Sequence, residues 1–232
     1  MVVPDSVAGA GRPVEWRVEP QPVPYPLALA EMEARAAAVA AGDANELLWL
    51  LEHPPVVTAG TSAEPADLLD AARFPLAEAG RGGRHTYHGP GQRVVYAVLD
   101  LGSRGRDVRC YVRGLERWAI AALAELGVAA RISSTGVGIW VPAADGGEAK
   151  IGAIGVRVRR WVALHGMAIN VTTDLSAYDA IVPCGIADRA VARLVDLVPG
   201  AAMADLDGAL RRNAASFLQG ITKALEGEKV SG

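Results

Sequence analysis

The stretch KIGAIGVRVRRWVALHGMAINV, residues 150–171, constrains the fold of this chain more than any other part of the sequence. Val156 and Val158 alternate in it with arginines, and this period of two is typical of a half-buried β-strand. The stretch is too long for a single strand, because strands in globular proteins usually run to ten residues or fewer. We therefore predict a β-hairpin, and with it a fold that contains a sheet.

A turn centred on residues 160 and 161 would set the register of this hairpin. Residue 153 would then face 168, and residue 155 would face 166, so that small residues oppose one another across the two strands. Glycine weakens a strand interior and needs a reason to be there. We interpret the small residues as leaving room for a groove along the hairpin.

Three amphipathic helices accompany the hairpin. The first is predicted over about 26–41, the second from a capping Asp107 to Gly127, and the third over about 203–225. Further strand-like runs lie at 46–53, 93–101 and 138–142. Because strands and helices interleave irregularly, the predicted class is α/β or α+β, with a mixed, mostly antiparallel sheet flanked by helices.

The length of the chain bounds its domain organisation. Its 232 residues, of which 51% are hydrophobic, can bury a substantial core as one domain. Residues 1–24, rich in Pro, Gly and Val, are predicted to form an extended lead-in, and residues 227–232 a polar tail. The single domain is expected over 25–226.

The charge and the targeting signals limit the partners. A net charge of −3 and a pI near 5.8 show no excess of positive charge that would attract nucleic acid or an anionic membrane. No signal peptide and no run of membrane-spanning length is found. Two cysteines and four scattered histidines match no zinc spacing, so no metal is expected. We predict a cytoplasmic protein whose partners are small molecules or proteins.

The two cysteines have different surroundings in the sequence. Cys110 falls on an arginine-bearing face of the second helix and is interpreted as a surface bystander. Cys184 lies between Pro183 and Gly185, at a strand-to-loop edge of the kind where catalytic groups are commonly displayed. The alternative for Cys184 is a small buried hydrophobe, as for many cytosolic cysteines.

Lys150 is the candidate partner of Cys184. In the hairpin register given above Lys150 faces Val171, so Lys150 and the chain that leads to Cys184 would leave from one rim of the sheet. A neighbouring ammonium stabilises a thiolate, and the amine can then act as general acid and base. Taken alone, Lys150 is interpreted as an ordinary solvated charge, and the dyad depends on the pair.

A second candidate site is the stretch RGGRHTYHGPGQ, residues 81–92. Its glycines allow backbone to approach a ligand closely, and exposed N–H groups can cradle an anion or a carbonyl. Arg81 adds a charge and His88 a donor or base. The alternative is a flexible connector, since the stretch has neither the Walker nor the Rossmann pattern. His165, inside the hairpin, is either a core histidine or a wall of the pocket.

Taken together, five blocks resemble the lipoyl(octanoyl) transferase family. They span roughly 46–188 and read, in order, LEHPPVVTAG, RGGRHTYHGPGQRVVYAVLDL, GVGIWV, KIGAIGVRVRRWVALHGMAINV and VPCGIAD. The combination of RGG-x-x-T-x-HGPGQ, K-I-G and PCGI is specific to that family. The segment after the cysteine, ADRAVARLVDL, departs from the small hydroxyl residues expected near Ala192 and Arg193.

The resemblance implies a catalytic domain with the fold of biotin and lipoate protein ligases. It implies transfer of an octanoyl group from octanoyl-acyl carrier protein to a lysine of lipoyl domains, including the glycine-cleavage H protein and 2-oxoacid dehydrogenase subunits, with no cofactor. It assigns the acyl-thioester cysteine to Cys184 and its partner lysine to Lys150. The substrate-binding residues that it implies are Arg81, Gly82, Gly83, Arg84, His85, Thr86, Tyr87, His88, Ala153, Ile154, Gly155, Gly166, Met167 and Ala168.

Two other functions remain open from the sequence. An ATP-dependent lipoate or biotin ligase shares the fold and uses a lysine near the position of Lys150, but it needs no cysteine. A non-catalytic module could dock acyl carrier protein or lipoyl domains on the same platform. Dependence of transfer on ATP distinguishes the first alternative, and a missing acyl adduct the second.

Overall fold

A computed structural model describes residues 6–7, 13–134, 136–143, 146–182 and 190–222. The strands are β1 (Ser6–Val7), β2 (Val14–Val18), β3 (Glu46–Leu51), β4 (Val56–Ala59), β5 (Leu76–Glu78), β6 (His85–His88), β7 (Gln92–Val98), β8 (Arg131–Ser133), β9 (Gly136–Pro142), β10 (Glu148–Arg159) and β11 (Val162–Asn170). The helices are α1 (Tyr25–Ala41), α2 (Val108–Glu125), α3 (Leu194–Leu197) and α4 (Met203–Gly220).

Eight of these strands form one mixed sheet. Their order is β1-β2-β3-β7-β11-β10-β9-β8, and only the β2–β3 pairing in it is parallel. A second sheet has three strands in the order β5-β4-β6. The predicted fold class, a mostly antiparallel mixed sheet flanked by helices, is confirmed.

Helices cover both faces of the large sheet. Helices α2 and α4 pack on one face in a core that includes Leu48 and Leu50 of β3. Helix α1 packs on the other face, against Leu47, Trp49 and Leu51 of the same strand. Because both faces of β3 are covered, the run ELLWLL is apolar at almost every position rather than alternating. No helix in the described ranges is both long and apolar enough to cross a membrane.

The hairpin has the register expected from its turn. Arg159 pairs with Val162, residue 153 with 168, and residue 155 with 166. The turn residues Arg160 and Trp161 have φ angles of 50° and 64°, as the tight turns that match the twist of a hairpin require. The predicted β-hairpin is confirmed.

The helix ends agree with their sequence signals. Helix α1 ends at Gly42, which has a φ of 84°. The Asp107 carboxylate accepts a hydrogen bond from the backbone N–H of Cys110 at 2.9 Å and so caps α2. Cys110 itself is partly buried. Helix α4 is described as far as Gly220, and the rest of the run predicted to 225 falls mainly beyond the described residues.

Two parts of the chain differ from the sequence-based expectation. Residues 85–88, taken as part of a glycine-rich loop, form β6 and pair with β4, because Thr86 and Tyr87 favour a pleated strand. Residues 14–18, within the predicted lead-in, form β2 and pair in parallel with β3. The domain limits at 25 and 226 stay a prediction.

Candidate active site

Lys150 is a buried lysine on β10. It is 9% exposed; its Nζ donates a hydrogen bond to the carbonyl of Val137 at 3.2 Å and lies 4.7 Å from the centre of the Trp140 ring. An aromatic face at this distance attracts a cation. Strand β9, which carries both contacts, therefore fixes where the amine lies.

The backbone of Lys150 pairs differently from the prediction. Instead of facing Val171, it donates a hydrogen bond to the carbonyl of Ala190 at 2.9 Å and accepts one from the N–H of Ala192 at 3.0 Å. Lys150 and Val191 form a parallel bridge. The hairpin pairing is described only from Gly152 onward, because the segment after the cysteine takes the edge of β10 at the level of the lysine.

Cys184 lies in the segment 183–189, outside the described residues, and its predicted proximity to Lys150 stays a prediction. The two ends of this segment are described. The N–H of Val182 donates to the carbonyl of Asp67 at 2.7 Å, and Ala190 is bonded to Lys150 as above. The chain that contains Cys184 therefore rejoins the fold directly beside the lysine.

A small cavity lies beside Lys150, and we call it the lysine cavity. It is lined by Thr86, Lys150, Gly152, Ala153, Asn170, Tyr178 and Val191. Two of these residues, Thr86 and Ala153, also line a larger cavity that runs beside the hairpin. The two spaces therefore adjoin at one end of the hairpin.

A buried polar network borders the lysine cavity. The Oδ1 atom of Asn170 accepts hydrogen bonds from Gln92 Nε2 at 3.0 Å and from the Tyr178 hydroxyl at 3.1 Å. Its Nδ2 donates to the carbonyl of Ala192 at 3.1 Å, next to the residue that bridges to Lys150. The network fixes the returning chain. Sequence reasoning missed Asn170 and Tyr178, and it included Gln92 only as the last residue of the glycine-rich stretch. Gln92 begins β7 and Asn170 ends β11, so polar side chains at the ends of apolar strands were the available signal.

The larger space, which we call the hairpin cavity, brings together almost the whole predicted substrate-binding set. Its lining includes thirteen of the fourteen residues implied by the resemblance. Tyr87 is the exception: it is 4% exposed and packs against Phe74 and Tyr178, with ring centroids 4.9 and 5.9 Å away. The roles of all fourteen in binding stay a prediction.

Arg81 shapes the loop that lines one side of this cavity. Its guanidinium donates to the carbonyls of Gly82, Arg84 and Thr58 at 3.1, 3.0 and 2.9 Å and to the Thr58 hydroxyl at 2.7 Å. Arg84 is held in turn by Asp67 at 2.7 Å. The two arginines are therefore engaged in holding the loop in place.

The glycines of the hairpin are required by close packing, and not by the open groove that the sequence analysis inferred. A Cβ on Gly155 would lie 2.7 Å from Cδ of Arg81, and a Cβ on Gly166 would lie 2.3 Å from the carbonyl oxygen of Val95. These glycines admit the loop and the neighbouring strand rather than leaving open space. The paired Ala153 and Ala168 line the cavity between them.

Three histidines around the hairpin cavity are neutral near pH 7. Burial lowers the pKa of His53 and of His165 to about 4, although a backbone hydrogen bond opposes the shift in each. Burial also lowers the pKa of His88 well below its usual value, reinforced by the nearby His53. His88 Nδ1 lies 2.6 Å from Oε1 of Gln92. His88 is thus suited to hydrogen bonding rather than to carrying charge.

Sequence reasoning missed three residues of the hairpin cavity and left a fourth undecided. Tyr25, Val94 and Tyr96 line it without any motif in the sequence to indicate this. His165 is resolved as a wall of the cavity. No group of three or more metal-ligating side chains occurs within the described part of the chain.

Comparison with known proteins shows which family this chain resembles. The family model described as the lipoyl protein ligase A/B catalytic domain matches residues 24–215. A protein of Rhizorhabdus wittichii named octanoyltransferase is 55% identical over 218 residues, covering 94% of this chain and 97% of its own length. One of the same name from Sphingopyxis alaskensis is 57% identical over 204 residues, covering 88% and 94%.

Solved structures agree at the level of the fold. A bipartite lipoate protein ligase of Thermoplasma acidophilum superposes with a TM-score of 0.65 at 20% identity, covering 88% of this chain and 82% of that one. At this identity the likeness concerns the architecture alone.

Proposed function

The chain belongs to the lipoyl protein ligase A/B catalytic domain family and is an octanoyltransferase of lipoate synthesis; we propose that it works through an acyl-enzyme on Cys184. In this proposal octanoyl-acyl carrier protein is the donor and a lysine of a lipoyl domain is the acceptor. Lys150 moves the protons in both half-reactions.

The observation that carries the proposal is the junction of the two cavities. Thr86 and Ala153 line both, so the space that holds the Lys150 amine adjoins the space beside the hairpin. An acyl chain lying in the hairpin cavity would present its carbonyl carbon at this junction. Ala190, six residues after Cys184, is hydrogen-bonded to the backbone of Lys150, which supports a position of the cysteine near the lysine.

The proposed reaction has two steps. In the first, the Cys184 thiolate attacks the thioester carbonyl, the bond to the pantetheine sulfur breaks, and the Lys150 ammonium gives its proton to the leaving thiolate. In the second, the acceptor amine attacks the acyl-cysteine, its proton passes to the Lys150 amine, and the Cys184 thiolate is released. The thioester is exchanged for an amide, which is downhill, so no nucleotide is consumed.

The walls of the hairpin cavity suit an acyl chain. Ala153, Ile154, Met167 and Ala168 contribute apolar surface to it. Burying a methylene group contributes about 0.8 kcal/mol, so an octanoyl chain gains several kcal/mol from such a wall. The donor and acceptor named here would place the protein in the cytoplasm.

Intact mass spectrometry tests the acyl-enzyme. Incubation with octanoyl-acyl carrier protein should add one octanoyl group to the wild-type chain. The Cys184→Ser variant should gain none on a cysteine, and Cys110→Ser, which removes the only other cysteine, should gain one as wild type does. An octanoyl thioester on the Cys184→Ser variant would refute the assignment.

The nucleotide requirement separates this function from that of a ligase. The chain should transfer octanoyl from the carrier protein to an apo lipoyl domain in the absence of ATP. If transfer occurred only with free octanoate and ATP, the chain would be a ligase. If the carrier protein bound without any turnover, the chain would be a docking module.

A further inference from the structure

Three side chains that line the hairpin cavity have polar atoms without a hydrogen-bond partner among the described residues. These atoms are the hydroxyl of Tyr25, Nδ1 of His85 and Nε2 of His165. The three residues are 3, 5 and 2% exposed. Buried polar atoms in folded proteins are nearly always hydrogen-bonded, to protein or to water. Part of this cavity is therefore built for a group that can hydrogen-bond.

His165 lies at the end of the hairpin cavity that is remote from Lys150. Its partner across the hairpin is Val156. Val156 lies six positions beyond Lys150 on β10, which is about 20 Å at the rise of a strand. The polar atom of His165 is thus well separated from the reacting end.

Tyr25 lies at the same end. It packs in one cluster with Ala79, and the ring of His165 is hydrogen-bonded to the backbone of Ala79. The Tyr25 and His165 side chains therefore lie beside the same residue at the edge of the small sheet.

The backbone at His165 is also unusual. Its φ is 62° although it lies within β11, a left-handed conformation that costs free energy for any residue with a Cβ. Strain of this kind persists where the surroundings fix it, and it is concentrated at binding sites. The conformation supports a role for the imidazole in the cavity.

The length of an octanoyl chain matches the distance from the junction of the two cavities to His165. Its seven carbon–carbon bonds, of about 1.5 Å each, span about 9 Å when extended. The three positions from Ala153, where the two cavities adjoin, to Val156, opposite His165, cover about 10 Å along the strand. A chain that starts at Ala153 ends where the polar atoms begin.

We propose that Tyr25 and His165 hold a small hydrated pocket at the remote end of the hairpin cavity, and that this pocket limits the acyl chain to about eight carbons. The inference rests on the proposed octanoyl transfer and adds the device that sets chain length. A longer chain displaces the water and leaves buried polar atoms unpaired. A shorter chain loses about fourfold in binding for each methylene that it lacks.

The Tyr25→Phe variant tests the pocket because it removes the hydroxyl and keeps the ring. We measure kcat/KM for transfer from octanoyl- and decanoyl-carrier protein to a lipoyl domain. The preference for octanoyl over decanoyl should fall by about tenfold, the factor expected when one buried hydroxyl no longer needs a partner. Tyr111→Phe is the matched control: its hydroxyl is buried 3.5 Å from the carbonyl of Ala97, it lines neither cavity, and the preference should not change.

A second measurement uses the wild-type protein alone. A carrier-protein thioester of 8-hydroxyoctanoic acid should react within about fivefold of the octanoyl thioester, because its terminal hydroxyl finds hydrogen bonds in the pocket. If this end of the cavity were dry and apolar, the hydroxy thioester would react about a hundredfold more slowly than the octanoyl thioester. That rejection, or an unchanged preference in folded Tyr25→Phe, overturns the hydrated pocket. A wild-type protein that transfers no octanoyl group at all overturns the proposed function instead.

Discussion

The amine of Lys150 donates a hydrogen bond to the carbonyl oxygen of Val137 at 3.2 Å. The next residue along β9 is Gly138, and a Cβ there would lie 2.9 Å from Cε of Lys150. Strand β9 therefore both holds the amine and leaves the space through which the lysine side chain passes. Two predictions follow from this arrangement.

Replacing Lys150 by Met should abolish proton transfer while keeping the length of the buried stem. We expect the rate of octanoyl transfer to fall by about 10² to 10⁴, the usual contribution of a general acid or base. Single-turnover acylation of Cys184 and its deacylation by a lipoyl domain should both slow. Full activity in Lys150→Met would remove Lys150 from the mechanism.

Gly138→Ala should damage the site through the lysine. Its Cβ would crowd Lys150 and the carbonyl of Gly152, and Gly138 has a φ of 142°. We expect a loss of about 1–3 kcal/mol in the free energy of unfolding and at least a tenfold loss of transfer. Gly136→Ala is the matched control, because Gly136 lies on the same strand and a Cβ there would meet no atom within 4 Å. Equal behaviour of the two variants in urea unfolding and transfer assays would contradict the prediction.

Asn170→Ala should loosen the chain that returns beside Lys150. It removes the acceptor shared by the amide of Gln92 and the hydroxyl of Tyr178, and the donor to the carbonyl of Ala192. Each hydrogen bond lost costs about 0.5–1.5 kcal/mol, so the urea midpoint should fall. If Asn170 also positions the site, kcat should fall in a variant that remains folded, with KM for the carrier protein little changed. An unchanged midpoint would show that the network is not formed.

Stability should depend on pH through the buried histidines. The pKa of His53 and of His165 is about 4 in the folded chain, against about 6.5 when unfolded. The unfolded chain therefore binds more protons between these values, and stability falls as pH falls from 6.5 toward 4. By pH 5 we expect a loss of about 2 kcal/mol per histidine relative to pH 7.5. Urea unfolding at the two pH values measures it, and equal midpoints would contradict the low pKa values.

A variant locates the source of this dependence. His165→Asn removes one of the three buried histidines with a lowered pKa while keeping a residue that tolerates a positive φ. The difference between the urea midpoints at pH 7.5 and pH 5 should shrink by about a third. An unchanged difference would assign the pH dependence to other groups.

The sequence predicted the hairpin well because two local signals agreed. Alternation at Val156 and Val158 gave the strand, and the turn at residues 160 and 161 fixed its register, which the pairing of 153 with 168 confirms. The Asp107 cap of α2 is equally local. Signals of this kind involve residues close together in the chain, so they can be recognised without knowing the fold.

The missed features all depend on contacts between distant segments. The bridge between Lys150 and Val191 replaces the expected partner Val171 because chain from beyond the hairpin enters the sheet there. Tyr25 reaches the cavity from the start of α1, and Gly166 is required by the carbonyl of Val95. No periodicity or motif in the sequence reports contacts of this kind.

The four hydrogen bonds that Arg81 makes to Thr58 and to the loop have a consequence for the form in which substrate arrives. A guanidinium whose donors are occupied in this way has few N–H groups left to bind an incoming carboxylate. A free fatty acid would thus leave water with few hydrogen bonds to replace those it loses. A neutral thioester loses less, so we expect the cavity to favour the activated acid before any bond is made.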